Sequence, residues 1–194
     1  MVETPSEMLP LGTKMPSFSL EDAVTGKMVS DRDASAGKKA TLVMFICNHC
    51  PFVKHVMDGL GRIAADYIPK GVAVVAINSN DIASHPDDAP ANMKKLAVSR
   101  GWRFPFLFDD TQEVAKNFKA ACTPDFFLYD AGGKLAYRGQ LDDSRPGNGI
   151  PVTGRDLRAA LDAILAGKPA AASQKPSIGC NIKWKPGNEP PYFG

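Results

Sequence analysis

The chain has 194 residues, 44% of them hydrophobic, which suits one domain with an appendage and a full core. A formal net charge of +2 and a pI near 8.3 give no signal for nucleic acid or a membrane surface. No apolar run approaches a membrane span, and Met1–Glu7 lacks the basic start and apolar core of a secretory signal, so a cytoplasmic location is expected. In that compartment, four cysteines are more often reactive or metal-binding than structural staples.

Residues 1–15 are polar and contain proline, which reads as a surface arm. Ser17–Leu20 alternates polar and apolar, Thr25-Gly26-Lys27 supplies a turn, and Met28–Ser30 closes a small edge hairpin. Thr41–Ile46 is apolar or β-branched throughout, the pattern of a buried strand. Pro51 suits the first position of a helix running to about Ile68, because its missing N–H would be unbonded there. Phe52, Val53, Val56, Leu60, Ile63 and Ala64 share one face of that helix; Gly59 and Gly61 interrupt it and permit close approach to the sheet.

Val72–Ile77 is the second buried strand, and the polar residues 82–90 read as a solvated loop. A helix is expected over Ala91–Arg100, stopped by Gly101, then a strand at Phe104–Phe108 and a helix through Phe118. Phe126–Tyr129 and Lys134–Arg138 flank the turn Asp130–Gly133 as an antiparallel hairpin. A loop rich in glycine and proline precedes a last helix, Arg155–Leu165. Strands joined by helical crossovers must be parallel, so the expectation is an α/β fold with a central mixed sheet flanked by helices. The domain is placed at 10–167, followed by an extended tail at 168–194. That tail holds five prolines, yet also Ile178, Ile182, Trp184, Tyr192 and Phe193. Solvated arms are poor in such residues, so it is expected to dock on its own domain or on the neighbouring subunit of a homodimer.

Between the first buried strand and its helix stands Cys47-Asn48-His49-Cys50. A helix start offers partial positive charge and free N–H donors, so a thiol there ionises more easily, and the thiolate is the nucleophile. A residue before proline is pushed out of the α region, which makes Cys50 the N-cap. His49, as imidazolium, would stabilise a thiolate and make the disulfide more oxidising. His55 reads as structural, and His85 in the polar loop carries no assigned role. Cys180 is expected to be buried under the tail, the alternatives being an extra resolving thiol beside the dithiol or a link to Cys122. A metal site drawing on Cys47, Cys50, Cys122 or Cys180, with or without His49, is a non-enzymatic alternative. No second CxxC or HxxxH pair supports it, and no metal is assigned.

The chain resembles the thioredoxin-like superfamily, and within it the peroxiredoxin-like branch related to alkyl hydroperoxide reductase and thiol-specific antioxidant proteins. The carriers are Gly12–Leu20 with Gly26-Lys27, the segment Phe45–His55, and Ala121–Phe127. The tail motif Pro176–Trp184 resembles that of a bacterial group in this branch. The resemblance implies that Pro124 is a cis-proline facing the dithiol, and that Thr123 offers backbone groups to an extended substrate by strand addition. It also implies that Cys122 lies near Cys47, where packing is the favoured role for so small a buried residue.

Departures bear on the reaction. The Trp usual before the first thioredoxin cysteine is Ile46, and the buried Asp six residues earlier is Thr41. If Cys50 matches the peroxide-reactive cysteine, the expected Thr and Pro before it are Cys47 and Val43, and no Arg matches the peroxide-activating one. The expected function is therefore thiol–disulfide exchange at a redox-active Cys47–Cys50 disulfide, with no other cofactor. Cys47 is expected to attack, on exposure, and Cys50 to resolve. The alternative is a peroxiredoxin-like antioxidant peroxidase using Cys50. The partners are a disulfide or peroxide substrate and a thiol reductant.

Overall fold

Two runs buried at every position, Ala40–Phe45 and Val72–Asn78, lie side by side and parallel at the centre of the sheet. Parallel neighbours need a crossover, and the helix beginning at Pro51 supplies it. In the computed structural model, residues 3–193 are described. In chain order the elements are β1 (Glu3–Pro5), β2 (Ser19–Asp22), β3 (Met28–Ser30), α1 (Asp31–Ser35), β4 (Ala40–Phe45) and α2 (Pro51–Tyr67). There follow β5 (Val72–Asn78), α3 (Pro90–Ser99), β6 (Phe106–Phe108) and α4 (Glu113–Phe118). The last are β7 (Cys122–Thr123), β8 (Asp125–Asp130), β9 (Leu135–Gly139), α5 (Arg155–Leu165) and β10 (Ile178–Asn181).

The main sheet has the order β3-β2-β6-β5-β4-β8-β9, with β5 parallel to β4 and β6, and β8 antiparallel to β4. This mixed sheet with helices on both faces is the thioredoxin-like architecture the sequence pointed to. Period-two alternation along β4 assigns its side chains to two cores. Leu42 and Met44 pack with Val53, Leu60 and Ile63 of α2 and with Leu157 and Leu161 of α5. Val43 and Phe45 face the other way, against Phe118 of α4, Phe127 of β8, Ile182 and Trp184. Edge-on ring contacts of Phe118 with Phe45, Phe127 and Tyr129 tie that second core together.

Gly59 permits a close approach, but not to the sheet. A side-chain carbon there would sit 2.8 Å from Cγ1 of Val152, so it is the loop before α5 that presses on α2.

The tail docks on its own domain. Ile182 and Trp184 enter the second core, and the Tyr192 ring packs edge-on against Trp184. Gln112 clamps it: its Nε2 donates to the carbonyls of Ser79 (2.7 Å) and Lys183 (2.9 Å), and its Oε1 accepts from the Lys185 N–H and from Asn188 Nδ2. The N-terminal arm is not merely a surface arm. From Glu3 to Pro5 it pairs with β10, and β10 in turn pairs with β7, giving a second sheet ordered β1-β10-β7. Met1 and Val2 lie outside the described residues.

Candidate active site

β4 delivers Cys47 at its carboxyl end, and Pro51 opens α2 with Cys50 as the extended N-cap (φ −64°, ψ 126°). Crossover geometry thus puts both thiols at the end of the central strand, where α/β sheets generally carry their sites. The Thr123–Pro124 peptide, which is cis, lies opposite. Cys47 Sγ is 3.4 Å from Thr123 Oγ1, and Cys50 Sγ is 3.3 Å from the Thr123 carbonyl oxygen.

A third sulfur is present. Cys180 Sγ lies 2.8 Å from Cys50 Sγ. The expectation that Cys180 is simply buried under the tail therefore needs correction: it is buried, but over the dithiol. Antiparallel pairing sets Cys180 directly opposite Thr123, and that register aims its side chain at Cys50. Cys122 is fully buried with its Sγ 3.6 Å from the Pro124 carbonyl, and burial together with the Asp125 carboxyl pushes its thiol well up. It packs and is not linked to Cys180.

The three clustered sulfurs are electrostatically unequal. Cys50 is brought down to about 4, chiefly by the hydrogen bond from the Cys47 thiol. Burial opposes this, while the Cys180 thiol and the backbone N–H groups of Val53 and Cys180 add to it. Burial and the hydrogen bond given to Cys50 push the Cys47 thiol well above its ordinary value, with the Asp88 carboxylate adding to the rise. Burial and the bond to Cys50 likewise push Cys180 up to about 12. These shifts favour the thiolate at Cys50 and the thiol form at Cys47 and Cys180. Cys47 and Cys50 both have a relative exposure of 0%, so exposure, the ground on which Cys47 was expected to attack, does not distinguish them.

Asn48 and His49 are fixed from a distance. Asp88, fully buried in the loop before α3, accepts from the N–H of Asn48 (2.7 Å), the N–H of His49 (3.3 Å) and Asn80 Nδ2 (2.9 Å). Its other contact is His49 Nδ1 at 2.5 Å. Burial alone would raise the Asp88 carboxyl, but these donors outweigh it and hold the group below its ordinary value. The His49 ring stacks on His85 at 4.6 Å, and burial together with the neighbouring His49 lowers His85. The reading of residues 82–90 as a solvated loop thus fails at Asp88, and His85 belongs to the site's rim. The one sequence signal was the polar run Asn78-Ser79-Asn80-Asp81 closing a buried strand, which turns out buried as well.

Cys47, His49 and Asp88 bring one ligand atom each within 4.8 Å, the one such group of three among the described residues. His49 Nδ1 and Asp88 Oδ2 are already joined to each other, so a metal there would have to break that pair. Cys50 and Cys180, named in the metal reading, lie outside the group. No helix among the described residues is long and apolar enough to cross a membrane.

A cis-proline facing a CxxC at a helix start, on this sheet order, defines a thioredoxin-like redox protein. The family model for Redoxin matches residues 10–157, and the chain belongs to that family. A crystal structure of a conserved protein from Geobacillus kaustophilus shares 59% identity over 96% of this chain and 98% of its own, with a TM-score of 0.93. A hypothetical protein from Sinorhizobium meliloti shares 49% identity over 95% of this chain and 100% of its own, with a TM-score of 0.92. A thiol:disulfide interchange protein of the thioredoxin family from Chlorobium tepidum shares the fold at 21% identity and a TM-score of 0.61, over 79% of this chain and 97% of its own. Among curated proteins none matches.

Proposed function

We propose that this protein is a thiol–disulfide oxidoreductase in which the Cys50 thiolate attacks a disulfide and Cys47 is its partner in a reversible Cys47–Cys50 disulfide. The observation that carries the reading is the placement of Cys50 as the extended N-cap before Pro51, with Cys180 Sγ 2.8 Å away and the cis Thr123–Pro124 peptide opposite, a setting in which its thiol is lowered. Attack forms a mixed disulfide on Cys50 and expels one substrate thiolate. Cys47 then gives up its proton, attacks the Cys50 sulfur and releases the second substrate thiol. A thiol reductant restores the pair.

A strongly stabilised thiolate makes Cys50 a good leaving group and favours the reduced form, so the Cys47–Cys50 disulfide is oxidising. His49 orients the loop through Asp88, and Thr123 supplies the backbone edge beside the sulfurs. Peroxide turnover asks for a group that stabilises the departing hydroxide. The hydrogen bonds that lower the Cys50 thiol come from Cys47, Cys180 and the Val53 N–H, and no arginine is among them. This supports exchange over the peroxidase alternative.

The test is single-turnover oxidation of the reduced protein by oxidised glutathione and, separately, by hydrogen peroxide at equal concentration. The disulfide should react faster, and both routes should end at Cys47–Cys50 in peptide maps. Peroxide outpacing the disulfide, with a sulfenic acid captured on Cys50, would support the peroxidase reading instead.

A further inference from the structure

Thr123 is the backbone edge that the resemblance assigns to an extended substrate, and the chain fills it itself. β10 pairs antiparallel with β7, Cys180 opposite Thr123 and Asn181 opposite Cys122. β1 covers the other edge of β10. The fit is close: a side-chain carbon at Gly179 would lie 2.0 Å from the Thr123 carbonyl oxygen, so only glycine lets the strand sit this deep. Ser177 Oγ donates to the Pro124 carbonyl at 2.6 Å, and Ser6 and Ser177 exchange hydrogen bonds across the arm. The result is a peptide strand seated where a substrate would lie, with a cysteine 2.8 Å from Cys50. A disulfide needs about 2.05 Å between sulfurs, so closing one asks for a shift below about 1 Å.

We propose that Cys180 is a third exchange thiol, carried by a tail strand that occupies the substrate-strand position, and that the docked chain therefore accepts small disulfides rather than protein strands. This rests on the exchange function proposed above. The Cys50 thiolate attacks the small disulfide, forming a mixed disulfide and releasing one thiolate. Cys180 passes its proton to that thiolate and attacks the Cys50 sulfur; the Cys50–Cys180 bond forms and the second small thiolate leaves. Cys47 then attacks the same sulfur, yielding Cys47–Cys50, and its proton returns to Cys180. Two electrons and one proton pass from the protein to the small disulfide, which ends as one thiol and one thiolate, the thiolate taking its proton from water.

The test uses the full chain as wild type, Cys47→Ser, Gly179→Ala on the Cys47→Ser background, and Cys47→Ser/Cys180→Ser. Each is equilibrated with oxidised glutathione, quenched in acid and mapped without reduction. In Cys47→Ser the expected product is a Cys50–Cys180 link with little glutathione on Cys50. Crowding the strand with Gly179→Ala should shift that ratio toward the Cys50–glutathione adduct by about tenfold or more. Should this variant not fold, as judged by circular dichroism, the double serine variant gives the adduct reading without crowding the backbone, and should carry glutathione on Cys50 alone. If wild type forms Cys47–Cys50 while Cys47→Ser carries only the glutathione adduct, Cys180 takes no part and the exchange function stands. If no cysteine of wild type exchanges, both readings fall.

Discussion

Replacing Cys50 with serine should abolish disulfide exchange, by roughly a thousandfold or more, the scale at which loss of a catalytic nucleophile is felt. The reason lies in the unequal sulfurs: Cys50 is the thiol held near 4, whereas Cys47 and Cys180 are both pushed up. Neither can stand in for it at neutral pH. Cys47→Ser should behave differently. It keeps the first attack but loses the usual resolving partner, so oxidation should stop at a Cys50–Cys180 link and never reach Cys47–Cys50. Stopped-flow reaction of each reduced variant with a small disulfide checks this. Equal losses in Cys50→Ser and Cys47→Ser at the first step would contradict the assignment of nucleophile.

Asp88→Ala should cost about 3 kcal/mol or more, because it leaves buried donors without their acceptor and breaks one side of a buried pair. For a chain of this size that is a fall in Tm of about 10 °C. The pH dependence has a definite sign. The Asp88 carboxyl is held below its ordinary 3.8, so its contribution is complete above that value and is lost as pH falls through the lower folded value. The stability gap between wild type and the variant should be constant at neutral pH and should close in acid. A gap that instead opened as pH fell would contradict the assignment of Asp88 as the ionised anchor. Losing this carboxylate also removes one cause of the raised Cys47 thiol, so Cys47 should ionise more easily in the variant.

Much of the scaffold was legible because local chemistry decided it. The apolar runs of β4 and β5, Pro51 at the start of α2 and the turn between β8 and β9 each carry their own physical cause within a few residues. The helix Arg155–Leu165 lies where its periodicity put it. Other features depend on contacts remote in the chain. Asp88 is 40 residues from the Asn48 N–H it accepts from, and a polar loop reads the same whether solvated or buried. Cys180 is 130 residues from Cys50, and Ile178-Gly179-Cys180-Asn181 has no alternation that names its partner strand. The exposure expected of Cys47 failed for the same reason: β10, paired with β7, lies over the dithiol.

A thiolate titration of the reduced protein shows directly whether Cys50 is the one ionised sulfur of the site. Ultraviolet thiolate absorbance would be followed from alkaline pH downward in wild type and in Cys50→Ser. One thiolate should persist through neutral pH and disappear with a midpoint of about 4, and that step should be missing from Cys50→Ser. A Cys50-dependent step centred near 9.0, the ordinary thiol value, would contradict the account.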